Sequence, residues 1–282
     1  MLPRRRVVIA LLLASGLLLI VVLPGFAVDL ISLQLGTLDG DGWSAEEVTV
    51  QLNWLDDGYA ALLLNTPRAE LPEGLGELSG VTLSCARALL TVSAASCDHG
   101  TLRAHSSKLG RQDIHIRFRY QFDTGRIEAG LSGAKVFDGT LAMTAILSRS
   151  HWQINASGEA LSLPAVTRQL AAAGIALPVV EGNGQLDVSV NMTGVAAQFT
   201  EADVEMQLAA EELSDADGSI ASENLNATLH AVVKRGNTGM EVALELEGRQ
   251  GALYVEPVFI EMPSKPLTLS ARFDWLSAKQ QL

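Results

Sequence analysis

Alternation of apolar and polar residues dominates this chain from about residue 29 onward. Leu186, Val188, Val190 and Met192 alternate with Asp187, Ser189, Asn191 and Thr193, so a strand here has one apolar and one polar face. The pattern recurs with Val204, Met206 and Leu208 against Asp203, Glu205 and Gln207, and with Met240, Val242, Leu244 and Leu246 against Glu241, Glu245 and Glu247. Ile114 to Phe122 and Leu267 to Trp275 repeat it. Short turn sequences separate the runs: Asp123-Thr124-Gly125, Phe137-Asp138-Gly139, Gly182-Asn183-Gly184, Asp217-Gly218 and Gly236-Asn237. The template predicts about 14 strands between about 29 and 275, an all-β antiparallel meander with one wet face. The one convincing helix runs from Pro164 to Ala173, with proline in its first turn and Gly174 closing it. No charge run or Pro/Ser-rich linker accompanies it, so residues 29–282 read as one continuous sheet interrupted by a helix.

The amino terminus follows different rules. Arg4, Arg5 and Arg6 precede an uncharged run from Val7 through Val28. About 20 helical residues cover the ~30 Å hydrocarbon layer, so 7–28 is read as a transmembrane anchor and 1–6 as a cytosolic basic tail. The positive-inside rule sends the rest of the chain outward. The competing reading is a cleaved signal peptide, because Gly25-Phe26-Ala27 has the small-x-small form of a cleavage site. The apolar core exceeds the usual signal-peptide length and favours the anchor.

Charge and composition then narrow the chemistry. The formal net charge is -12, and setting aside the three arginines leaves -15 on the far side. Such acidity excludes a general phosphate-binding surface, so no nucleic-acid partner is expected. A hydrophobic share of 48% excludes a disordered chain. His99, His105, His115, His151 and His230 occur in no metal-ligand spacing, and no nucleophile elbow or phosphate loop is present. Ser132-Gly133-Ala134-Lys135 has the SxxK form of penicillin-interacting enzymes, but it lacks the companion segments and joins two strand patterns. No enzyme activity, metal or cofactor is expected. Cys85 and Cys97 lie in consecutive strand-like segments and, in an oxidising compartment, are read as a disulfide; two separately buried thiols are the alternative.

An apolar sheet face needs a cover. A sandwich supplies a second sheet and usually fills the gap with aromatic residues, whereas aromatics here are 5% of the chain. An open, groove- or taco-shaped sheet would instead offer a Leu/Val/Ala/Met lining to acyl chains. Its expected lining is Leu186, Val188, Val190, Met192, Val204, Met206, Leu208, Val242, Leu244 and Leu246. The strong strand at Leu267–Trp275 has only a short stretch after it, so its edge is expected to meet a protein partner or further sequence.

Family resemblance points the same way. Leu163-Pro164 leading into a short helix, then Leu177-Pro178 and Gly184-Gln185-Leu186-Asp187-Val188-Ser189-Val190-Asn191-Met192-Thr193-Gly194, resembles a segment of AsmA-like proteins. Gly251-Ala252-Leu253-Tyr254-Val255-Glu256-Pro257, followed by Pro266-Leu267-Thr268-Leu269-Ser270-Ala271, resembles the YdbH-like branch, as does the placement of Cys85 and Cys97. The resemblance implies an inner-membrane-anchored protein of the Gram-negative envelope, whose periplasmic β-groove helps phospholipid cross between the two membranes. Bridging members of that family are much longer. At about 4.8 Å per strand, the predicted strands give roughly 65 to 70 Å. The expectation is therefore an amino-terminal portion of a conduit, or a carrier that hands lipid to a partner. A second resemblance, through Gly36-Thr37-Leu38 and Asn53-Trp54, is to the type II secretion protein N family, and implies an anchored periplasmic scaffold or assembly subunit; Asp39 stands where that family has tryptophan.

Overall fold

The computed structural model describes residues 29–276, apart from 41, 56, 72–75, 173, 197, 237–238 and 263–264. The basic tail with Arg4, Arg5 and Arg6 and the anchor expected over 7–28 lie outside the described residues. Among those described, no helix is long and apolar enough to cross a membrane.

Among the described residues, fifteen strands build one antiparallel sheet. They are β1 (Leu30–Gly40), β2 (Trp43–Trp54), β3 (Tyr59–Glu70), β4 (Glu77–Leu90), β5 (Ala94–Ser106), β6 (Gly110–Gln121), β7 (Arg126–Val136) and β8 (Gly139–Leu147). Then come β9 (His151–Ser162), β10 (Val180–Val195), β11 (Gln198–Asp215), β12 (Ile220–Arg235), β13 (Gly239–Val255), β14 (Val258–Glu261) and β15 (Leu267–Leu276). From β1 to β14 each strand pairs with its successor in sequence, and β15 returns to pair with β13. Because β14 takes Ala252–Val255 of β13 and β15 takes Gly239–Gly248, the two share one edge. Short hairpins therefore make most of the connections, as the repeated turn sequences predict; the β9–β10 connection and the return of β15 to β13 are the departures.

The helix α1 (Leu163–Ala172) sits in the connection between β9 and β10. The ladder between those strands nevertheless runs from Gln185↔Ser162 to Val195↔His151, so the helix interrupts the chain and leaves the sheet continuous. Ser162 accepts a hydrogen bond from the Ala165 N–H at its start, and Gly174 follows with φ +83°. Leu163 packs against Val180, Ala210, Leu213 and Leu225, fixing α1 over one margin of the apolar face.

Two local expectations need correction. Gly182-Asn183-Gly184 lies inside β10 and makes no turn. Gly182 has φ +110°, and a Cβ there would come within 2.1 Å of the Glu212 carbonyl oxygen, so a strand irregularity uses the glycine just as a hairpin would. Ser132-Gly133-Ala134-Lys135 likewise lies within β7, where Gly133 has φ +82° beside a register break between Leu131 and Ala134. The tetrapeptide is therefore part of one strand and not the junction of two.

Such irregularities form a line. Register breaks at Ser79/Thr82, Leu131/Ala134, Leu186/Val188, Asn183/Gly184 and Glu223/Asn226 cross the sheet near one level from β4 to β13. Left-handed residues mark several of them: Gly80, Gly133, Ala160, Asn224 and Gly251. Bulges bend strands and increase their twist, so this line acts as a crease. Asp187 takes part in it: its carboxylate accepts the Ala160 N–H at 2.7 Å.

Among the described residues no second sheet covers the first. Packing between elements runs between sheet neighbours and from α1 to β9 and β10. Among the described residues the largest fully buried side chains are only Val48, Cys85 and Cys97. The sheet is open, unlike a sandwich, whose two inner faces bury large side chains against each other.

Cys85 on β4 and Cys97 on β5 form a disulfide, packed by Ala88, Leu62 and Phe118. Closing a loop with a sequence separation of 12 contributes roughly 3 kcal/mol in the chain-entropy description. Replacing both cysteines by serine is expected to lower unfolding free energy by about that amount in urea titration, and an unchanged midpoint would count against it. At the β11–β12 turn, the Ser219 hydroxyl and the Ile220 N–H donate to Asp215 and hold its carboxyl below the ordinary value of 3.8. The stability linked to this group is present above the unfolded pKa and is lost as pH falls through the lower folded value. Ser219→Ala is expected to move the Asp215 titration upward, read by NMR.

Candidate functional site

Register converts the alternation into continuous rows. Across β15, β13, β12, β11, β10 and β9, one row reads Ala271, Leu244, Ala231, Val204, Val190 and Ala156. It continues through Met143, Leu131, Ile116, Gly100, Cys85, Leu62, Leu52 and Ile31 to β1. No polar side chain breaks it. Gly100 leaves no gap, because the Ile116 side chain lies where a Cβ would be, 2.7 Å away. A parallel row contains Phe273, Val242, Val233, Ala202, Met192, Ile154, Ala145, Ala129, Phe118, Cys97, Ala88, Ala60 and Trp54.

The opposite face is polar. Ser270, Glu245, His230, Glu205, Ser189 and Ser157 follow one another there. His230 Nε2 lies 3.0 Å from Asp203 Oδ1, and Lys234 Nζ lies 3.2 Å from Glu201 Oε1. His99, His105, His115 and His151 are also exposed, and among the described residues no metal-ligand group of three forms.

Leu186, Val188, Val190, Met192, Val204, Met206, Leu208, Val242, Leu244 and Leu246 all lie on the apolar face. Leu186↔Leu208, Val188↔Met206 and Val190↔Val204 are direct pairs. β12 joins them to β13 through Leu229↔Leu246, Ala231↔Leu244 and Val233↔Val242. Sequence reading left β12 out of the lining. Its alternation of Leu225, Ala227, Leu229, Ala231 and Val233 was available, weakened by alanine and by polar Asn and Thr between them. Rows from β2 to β9 were also left out of the lining, although the alternation of Ile114, Ile116 and Phe118 on β6 is legible; between such residues Ala, Gly and Cys give a weaker signal yet keep the face smooth. These side chains are mostly half-buried, shielded only by their neighbours in the sheet. Exposure rises at the sheet ends, to 53% at Leu269 and 41% at Leu33.

The chain matches no family model, no curated protein and no solved structure. The rows themselves must then carry the functional argument. They supply no nucleophile, no acid–base pair and no fixed ligand clamp. What they offer is an uncovered strip of near-equivalent apolar positions, each strand spaced about 4.8 Å from the next.

A charge in this strip would be poorly solvated between apolar neighbours. Val188→Asp and Leu244→Asp are expected to destabilise the sheet by about 1–3 kcal/mol in urea unfolding, whereas Ser189→Asp and Glu245→Gln stay within about 0.5 kcal/mol. Equal losses on both faces would refute the assignment of faces. Asp187 makes an unsuitable control, because its carboxylate holds the Ala160 N–H.

Proposed function

We propose that the open sheet is a groove- or taco-shaped carrier for acyl chains and that the protein contributes, without catalysis, to phospholipid transport between inner and outer membranes. The observation that carries this reading is the apolar row running unbroken from β15 to β1 on one uncovered face. An acyl chain laid along it gains about 0.8 kcal/mol for each methylene removed from water. Moving that chain by one strand replaces each contact with a similar one, so the gain in holding lipid adds little barrier to sliding it. Head groups remain in water beyond the sheet margins. Resemblance to AsmA-like and YdbH-like proteins supports the same function, with the segment 7–28 as a single inner-membrane anchor and the body in the periplasm. A partner or further sequence meets the β15 edge and takes over the lipid.

The scaffold reading, by resemblance to type II secretion protein N, draws on one observation. β15 presents Trp275 and Phe273 at the sheet edge, 68% and 46% exposed. Edge strands of this kind pair readily with another chain. The two readings separate by what touches the middle of the apolar face.

A photo-crosslinking amino acid placed at Val190 or Leu244 in the full chain, expressed in a Gram-negative host, is expected to yield lipid adducts by mass spectrometry. The same group at Ser189 or Glu245 is expected to yield few or none. Protein adducts without lipid at Val190 and Leu244 would favour the scaffold.

A further inference from the structure

The polar face carries a second feature that lipid carriage does not use. Over most of β10–β13 that face is charged, with Asp203, Glu205, Glu241 and Glu245 prominent. Where the crease crosses these strands, amides gather beside the carboxylates of Asp138 and Glu211. Gln185, Ala209, Asn226 and Gln250 pair in sequence across β10, β11, β12 and β13. Together with Asn183 and Asn224, the amides of this row line a hollow of about 610 Å³. A second hollow of the same size shares Asn183, Glu211 and Asn224 with the first and extends to Tyr254 and Phe259. Those two rings lie directly opposite each other across β13 and β14, and Phe259 is 64% exposed.

The backbone around the hollow is tightly determined. Asn224 and Ala160 hold left-handed φ values of 47° and 52°. A Cβ on Gly251 would lie 2.3 Å from the Asn224 carbonyl oxygen, so glycine is required for the close approach of β13 to β12. Backbone in sparsely populated conformations persists where surrounding structure over-determines it, and such positions gather at binding sites. The five amide side chains are exposed and make no hydrogen bond within the described residues, so their donors and acceptors are available to a ligand.

We infer that this hollow binds a neutral oligosaccharide. Each amide offers one carbonyl acceptor and two N–H donors, matching hydroxyl groups, which both donate and accept. The amides carry no net charge, and the carboxylates of Asp138 and Glu211 in the same lining accept hydrogen bonds from hydroxyl groups while opposing an anionic ligand. Tyr254 and Phe259 add an apolar surface at one end, suited to the CH-bearing face of a sugar ring. A shallow site with a few convergent polar groups and an aromatic wall fixes orientation at modest affinity. It lies on the face opposite the apolar rows and stands or falls independently of lipid carriage.

The test uses the full chain in nanodiscs, since maltoside detergents would compete, with chito- and malto-oligosaccharides titrated by calorimetry and ligand-observed NMR. At least one series is expected to bind, with affinity little changed by added salt. The double substitution Asn226→Ala/Gln250→Ala is expected to weaken binding by roughly tenfold or more, as loss of two hydrogen-bonding groups implies. Asn191→Ala, on the same face away from the hollow, is expected to leave it unchanged. Thermal melting checks the fold, and the exposed Phe259→Ala serves as a second variant if the double variant does not fold. No saccharide binding by the unaltered chain, binding indifferent to these substitutions, or preference for a neutral Gly/Ser peptide over every sugar would each overturn the inference.

Discussion

Everything in this structure depends on one hydrogen-bond ladder carried from strand to strand with only small buried clusters behind it. In a compact domain, a mistake in pairing is opposed by the side chains of a second layer. Here, among the described residues, α1 alone packs over the sheet, and register is set by hairpin turns and by the contrast between the two faces. A one-residue slip in any strand would carry its Leu and Val side chains to the wet face and its Asp and Glu side chains to the dry one. That penalty is repeated along every strand. It allows a sheet of this extent to be specified by sequence while most of its apolar atoms keep partial contact with solvent.

The same constraint accounts for the composition. A sheet with one dry face requires about half of each strand to be apolar but has no interior that calls for large rings. Ala156, Ala145, Ala129 and Ala88 keep adjacent rows level, and the larger Leu, Val and Met side chains fill the width between them. The polar face carries the excess acid. Its repulsion toward other polypeptides of the same sign opposes nonspecific face-to-face association, a hazard for a protein that leaves apolar surface uncovered.

Much of the fold was legible because its dominant signal has a period of two and each strand repeats it. The alternating middles of β10, β11 and β13, where Asp and Glu alternate with Leu, Val and Met, could be recognised, but not their ends: β10 begins at Val180, ahead of the Gly182-Asn183-Gly184 run that reads as a turn. Pro164 and Gly174 bracketed the helix for similarly local reasons. The crease was not legible, since the glycine of a bulge and the glycine of a hairpin satisfy the same demand for positive φ. Gly182 and Gly133 look alike in sequence wherever the strand goes next. The amide hollow was hidden more deeply: Gln185, Asn226 and Gln250 are far apart in the chain and unremarkable singly, and only the register of four strands makes them neighbours. On the apolar side, β12 escaped notice because alanine contributes area to a row without announcing itself in a hydropathy count.

The crease also bears on how such a sheet can change length. On β7, Leu131 and Ala134 are an odd number of residues apart yet serve the same face, because the extra residue is absorbed at Gly133. A single insertion elsewhere in a strand would invert everything beyond it, exchanging dry for wet along half the strand. Two added strands joined by a turn invert nothing: both faces, the antiparallel alternation and the open edge are carried forward intact. Within the sheet the hairpin is therefore the smallest unit that can be inserted or removed, and the apolar strip then changes in steps of two strands, roughly 10 Å at a time.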